Sequence, residues 1–189
     1  MNLLAAFNFA IFEQYFNNMN FYITHKFTLI PAQYFTQEEA RDAMCNLFDI
    51  SDKEEIKYTN IENINAVLIY SLPIELKSKE SDSTYYPLAN LLLEYITEIN
   101  DYNKVVFHFN KEQEIAHILI SKGNNLQLLN TYNAKNFNSA LYFLLLAIKQ
   151  TIINSHQTIL HVLNNMSAEE KDTAQNYFKK IKIKKIEKI

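Results

Sequence analysis

Apolar positions along this chain change their period several times, and the changes mark its elements. Leu3, Leu4, Phe7, Ile11 and Tyr15 recur at helical spacing while Asn8 and Gln14 fall off the stripe, which predicts a packed first helix. Asn20 to Leu29 is rich in aromatic and β-branched residues and runs to Pro31, as a strand leaving its sheet does. Thr36, with Glu39 three residues on, predicts a capped helix through Phe48. The expected inner face of that helix is Ala40, Ala43, Met44 and Leu47, with Cys45 beside the core as an inert packed thiol. Ala66 to Leu72 is a continuous apolar run stopped by Pro73, the pattern of a strand in the middle of a sheet. The first unit therefore reads helix, strand, helix, strand.

A polar stretch from Lys77 to Thr84 follows and leads to Pro87, expected in the first turn of a helix through Ile99. Beyond it, Val105 to Phe109, Glu114 to Ile120 and Leu126 to Tyr132 read as three strands of an antiparallel meander. Gly123 falls in the second turn, Lys122 to Asn125, where positive φ is wanted. Next come a helix from about Asn138 to Ile152, a strand from Thr158 to Leu163, and a helix opened by Ser167 with Glu170 as its capping partner. The chain closes on a segment from Ile181 in which lysine alternates with isoleucine, as on a guarded edge strand. The second unit is β-β-β-α-β-α-β.

Composition narrows the chemistry. With 48% hydrophobic and 13% aromatic residues the chain can build a packed core, and its formal net charge of −3 supplies no global field for nucleic acid. Cys45 is the only cysteine, so no internal disulfide forms, and a reducing, cytoplasmic setting is expected. The apolar N-terminus lacks a basic leader and carries Glu13, unlike a signal peptide. The run Ala140 to Ile148 is far shorter than the roughly 20 residues of a membrane span. Gly123 is the only glycine, so neither a Walker loop nor a dinucleotide fingerprint can be written.

Three meandering strands followed by alternating helices and strands resemble the ribonuclease-H-like unit that the actin, sugar-kinase and pilus-assembly ATPase superfamily uses in duplicate. On that resemblance the fold class is α/β with two lobes. The first lobe would be truncated at its N-terminus, its four elements matching the last four of the second. The expected division is an incomplete first lobe over residues 1–76, a connector and helix over 77–101 and a complete second lobe over 102–189. Phe27-Thr28-Leu29-Ile30-Pro31 with Tyr34-Phe35, Lys122-Gly123 before Leu126, Asn130 to Tyr132, and Leu141-Tyr142-Phe143-Leu144 carry a closer likeness. They resemble an uncharacterised bacterial family, the domain-of-unknown-function family numbered thirty-eight twenty-two, whose members look like degenerate relatives of the actin-like ATPases. No functional residue transfers from it. The superfamily holds phosphates in glycine-containing hairpins, often with an aspartate; the corresponding Asn110-Lys111-Glu112-Gln113 has neither, and the adenosine-side turn is Asn164-Asn165-Met166-Ser167.

The remaining chemical readings weigh against catalysis. Val105 to Phe109 carries no carboxylate for a two-metal nuclease, and Glu112 and Glu114 read as a solvated turn. A two-residue loop at Lys111-Glu112 would set His108 and His117 diagonally on one face, with His161 as a third neighbour; packing is the expected role, and no metal or other cofactor is assigned. Lys179 to Lys185 is read as edge protection rather than a nucleic-acid surface, and Tyr85-Tyr86 as core. The expectation is a non-catalytic interaction or scaffold protein, a pseudoenzyme on an actin-like frame. The alternative is a degenerate ATP-dependent enzyme or nucleotide-binding protein. A lobe lacking its meander leaves apolar surface uncovered, which places Phe7, Ile11, Phe21 and Ile23 at an expected interface with a homodimer mate or another protein.

Overall fold

Tertiary hydrogen bonding decides which of these periodic segments pair. The structure is a computed structural model that describes residues 19–77 and 84–186, so the expected first helix lies outside the described residues. These residues fall into two compact units, one up to Leu91 and one from Leu92 on.

The first unit runs β1 (Asn20–Tyr22), β2 (Phe27–Pro31), α1 (Gln37–Leu47), β3 (Glu54–Ile61), β4 (Ala66–Pro73), the short α2 (Ile74–Lys77) and β5 (Tyr85–Pro87). Its main sheet has the order β2-β4-β3, all antiparallel, and β1 pairs in parallel with β5 in a separate two-stranded sheet. The apolar run Val67 to Leu72 is central and buried, as its pattern indicates. Three expectations change. The single strand from Asn20 breaks into β1 and β2. A further strand, β3, appears where charges obscured the alternation. And β2 and β4, read as the counterparts of the last two strands of the second unit, are antiparallel, whereas those two strands are parallel.

α1 begins at Thr36, whose hydroxyl accepts from the Glu39 amide at 3.3 Å. It buries Ala40 and Met44 against Val67 and Ile69. That stripe is narrower than expected, and both Cys45 and Leu47 are exposed. Cys45 is therefore a solvent-facing thiol rather than a packed one. Lys26 and Glu54 tie the open end of the sheet together. The lysine Nζ lies 2.7 Å from the carboxylate and 2.6 Å from the Asp49 carbonyl, while Ser71 Oγ donates to Glu54 at 2.9 Å. Burial opposes ionisation of Glu54, but the bonds from Lys26, Ser51 and Ser71 outweigh it and hold the carboxyl at about 2.

α3 (Leu88–Tyr95) carries the chain into the second unit; Pro87 ends β5 just before it. There β6 (Asn103–Asn110), β7 (Ile115–Lys122), β8 (Asn125–Asn133), α4 (Phe137–Gln150), β9 (Ile159–Val162), α5 (Ala168–Gln175) and β10 (Lys180–Ile183) follow in the expected order. The sheet order is β10-β9-β6-β7-β8. β6 pairs antiparallel with β7 and parallel with β9, and β10 is parallel to β9 at an edge. Val105, Phe107, Phe109, Ala116, Ile118 and Ile120 pack under Leu141 and Leu144 of α4. At about 25 cal/mol per Å² this apolar burial is the main stabilising contribution to the unit.

Left-handed backbone occurs at both ends of the glycine scale. Gly123 has φ +57°, and its amide donates to the Tyr102 carbonyl at 2.7 Å. At the end of α4 the Ile153 amide reaches the Ile148 carbonyl and the Ile152 amide the Lys149 carbonyl, a Schellman closure. The left-handed position of that motif favours glycine, yet Ile152 occupies it at φ 54° with its side chain in solvent, 87% exposed. Two substitutions should therefore act in opposite directions. Gly123→Ala should lower unfolding free energy by about 1 kcal/mol. Ile152→Gly should raise it by about 0.5 to 1 kcal/mol, net of the entropy glycine adds to the unfolded chain. Urea denaturation of both variants measures the two signs.

Candidate functional site

Because β6 and β9 are parallel neighbours, their carboxyl ends open on the same side of the sheet, and both helices of the unit start there. In α/β sheets a ligand crevice forms outside strand carboxyl ends where the chain departs in opposite directions, as it does here from β6 to β7 and from β9 toward β10. A pocket of about 530 Å³ occupies this place, lined by Phe109 and Lys111 from the end of β6, Lys135 to Asn138 at the start of α4, and Ser167, Glu169, Glu170 and Thr173 at the start of α5. Asn164 fastens the turn after β9 to the site by donating to the Phe109 carbonyl at 2.8 Å.

Helix N-termini attract anions because their first amides lack partners. Here the chain supplies some of those partners itself. Ser167 accepts from the Glu170 amide at 3.2 Å, and the Glu170 carboxylate accepts from the Ser167 amide at 2.8 Å, a complete capping box. Asn136 accepts from the Ser139 amide at 2.9 Å. The other Glu170 oxygen lies 2.8 Å from Lys111 Nζ, an ion pair across the pocket. Burial raises the Glu170 carboxyl, but Lys111 and the Ser167 bonds outweigh it and hold it below the usual range. Two lysines thus meet two glutamates, leaving little net charge. The expected capping residue also pairs with Lys111 at the pocket.

The β6–β7 turn is longer than expected. Asn110 pairs with Ile115, leaving Lys111 to Glu114 as a four-residue loop in which Asn110 Oδ1 accepts from the Gln113 amide at 2.8 Å and Glu114 takes φ 56°. His108 and His117 are consequently directly opposite rather than diagonal, their rings 5.8 Å apart and edge-on. Both are buried, as is His161. His161 Nδ1 is 3.1 Å from the Tyr95 hydroxyl, and its Nε2 lies 3.8 Å from Asp101. Burial, then the neighbouring His117, pushes His108 down to about 3; burial and Lys182, against Asp101, push His161 to about 4. Both rings are neutral at pH 7. Among the described residues no group of three or more histidine, cysteine or carboxylate side chains is arranged to hold a metal ion.

Of the residues singled out for an interface, Phe21 is buried in β1 with its ring 6.5 Å from Tyr86, and Ile23 is half-buried in the bend that follows. Phe7 and Ile11 lie outside the described residues. Glu112 and Glu114 are exposed on the turn. No helix among the described residues is long and apolar enough to cross a membrane.

Residues 6–181 match the model of the family described as Protein of unknown function (DUF3822). The chain belongs to this family. Its structure is similar to a Bacteroides thetaiotaomicron protein with an actin-like ATPase fold and unknown function, at TM-score 0.72 and 20% identity over 86% of this chain. The fold of this family member is therefore that of the actin-like ATPases. The chain covers 66% of the Bacteroides protein, just under two thirds of its length. A PilM-PilN type IV pilus biogenesis complex also matches, at TM-score 0.44 and 8% identity over 88% of this chain and 69% of that one. No curated protein is significantly similar.

The buried histidines set an acid-side dependence. Their folded pKa values lie below the ordinary 6.5, so the unfolded chain binds more protons and stability falls as pH drops below about 6.5 toward 4. His108→Leu should flatten that slope while leaving stability at pH 7 within about 1 kcal/mol, since an orphaned ring nitrogen gives way to an apolar group of similar volume. Chemical denaturation at pH 7 and pH 5 reads the difference.

Proposed function

We propose that the chain is a non-catalytic interaction or scaffold protein on an actin-like frame, working without bound ATP. The observation that carries this reading is that Lys111 and the start of α5 at the carboxyl-end pocket are engaged by the Lys111–Glu170 ion pair and the Ser167–Glu170 capping box. A triphosphate entering there would meet the Glu169 and Glu170 carboxylates and the Ser139, Ser167 and Glu170 amides already engaged by side chains, and it would have to break the ion pair to recruit Lys111. Phosphate loops work in the opposite way, presenting free amides from glycine-rich backbone. The turn Lys111 to Glu114 has no glycine with which to do so.

One observation favours a second reading, a degenerate nucleotide-binding protein: a pocket of about 530 Å³ is of the size that holds small ligands. Calorimetric titration with Mg-ATP separates the two. The scaffold reading expects no heat beyond dilution at millimolar nucleotide. Micromolar binding that Lys111→Ala weakens would replace it with the second reading.

A further inference from the structure

The two edges of the five-stranded sheet differ in chemistry. β10 carries Lys180 and Lys182, and in the first unit β2 ends on Pro31 while β3 carries Glu55 and Lys57. These are the usual devices that stop an edge from recruiting another strand. β8 has none of them. Its nine residues, Asn-Leu-Gln-Leu-Leu-Asn-Thr-Tyr-Asn, are uncharged, and between Gly123 and Ile148 the only charged side chain is Lys135. No described strand pairs with the side of β8 away from β7.

The polarity of that outer side is readable. The Ala134 amide turns inward to the Glu114 carbonyl at 2.7 Å. The Thr131 amide is instead held by its neighbour's side chain, Asn130 Oδ1, at 2.8 Å. Alternation along an antiparallel strand then directs the backbone groups of Leu129 and Thr131 outward.

We propose that this edge is a two-fold pairing surface and that its occupant is the β8 of a second copy of this chain, running antiparallel with Asn130 on the axis. An isologous contact sets the patch against its own copy and the axial residue against itself, so a net charge around the axis would meet its like; an uncharged edge carries no such repulsion. In this register Leu129 and Thr131 exchange backbone bonds with Thr131 and Leu129 of the mate, the Leu129 carbonyl replacing the Asn130 side chain. Leu128 faces Tyr132 on either side of an Asn130–Asn130 pair. Tyr132 stacks on Phe143 of α4 at 4.9 Å, and Tyr142 and Leu146, one turn apart on that helix, are exposed and supply apolar surface beside the joined strands. The pairing does not depend on whether nucleotide binds.

The test uses the full chain with Cys45→Ser as background. On the axis Asn130 forms a non-hydrogen-bonded pair with itself, at a Cα separation of about 4.5 Å that a disulfide can span. Asn130→Cys in that background should oxidise to a covalent dimer, while Glu112→Cys, on the exposed turn, should stay monomeric under the same oxidation. Sedimentation of the wild type should give twice the 22.2 kDa chain mass at tens of micromolar. Asn130→Lys, placing two ammonium groups face to face, should weaken association at least about tenfold, with a melting curve unchanged at concentrations dilute enough for both proteins to be monomeric. A wild-type monomer, equal cross-linking at both cysteines, or a dimer that Asn130→Lys leaves intact overturns the proposal.

Discussion

Strand β6 must be covered on both sheet faces and bonded along both edges, and the second unit is arranged around meeting those demands. β7 takes one edge antiparallel and β9 the other in parallel, so at that end of the sheet the chain leaves β6 for β7 on one side and leaves β9 for β10 on the other. One face lies under α4; the other carries Lys104, Val106 and His108. Lys104 reaches the Ile96 carbonyl at 3.0 Å. Buried Lys104 thus has an acceptor for its Nζ, and burial favours the neutral form of His108 and His161. The same desolvation removes those two imidazoles as ready cations for a ligand.

Scarcity of glycine runs through the architecture as a second constraint. Where a tight turn requires left-handed backbone the chain has Gly123 once, and otherwise uses Asn65, Glu114 and Ile152. Asparagine is suited to such a position; isoleucine is strained there. A loop built this way can turn, but it cannot bring several bare amides around an anion. At the helix starts Asn136, Ser167 and Glu170 instead engage the Ser139, Glu170 and Ser167 amides, which stabilises the unit and takes those donors from a phosphate.

The second unit was legible because each of its elements has a clean period and its turns carry polar or capping residues in the expected places. Ser167 with Glu170 was readable as a cap. Its pairing with Lys111 was not, since the contact joins residues brought together only by the parallel pairing of β6 and β9. The first unit was harder. Glu54 to Ile61 carries Glu55 and Lys57 at positions that read as surface, and only its neighbour β4 reveals it as a strand. The bend between β1 and β2 has no proline or glycine to announce it, and the direction in which β2 meets β4 has no sequence signature. Cys45 was misplaced because a stripe of four apolar positions was assumed where the sheet accepts two.

A protein frame responds to a small molecule only through a difference in affinity between two of its states. In the proposed reading the carboxyl-end pocket offers phosphate little such difference: Lys111 is matched by Glu170, and the Ser139, Ser167 and Glu170 amides are held by caps. What the unit then has left to offer is surface. Charge on that surface is uneven, with lysines along β10 and almost none from β8 through α4. Lysine at an edge repels a second strand and keeps that side solvated, whereas a neutral, ladder-competent edge beside exposed aromatic side chains loses little on desolvation. The distribution of charge, more than the pocket inherited with the fold, therefore decides where this chain can hold a partner.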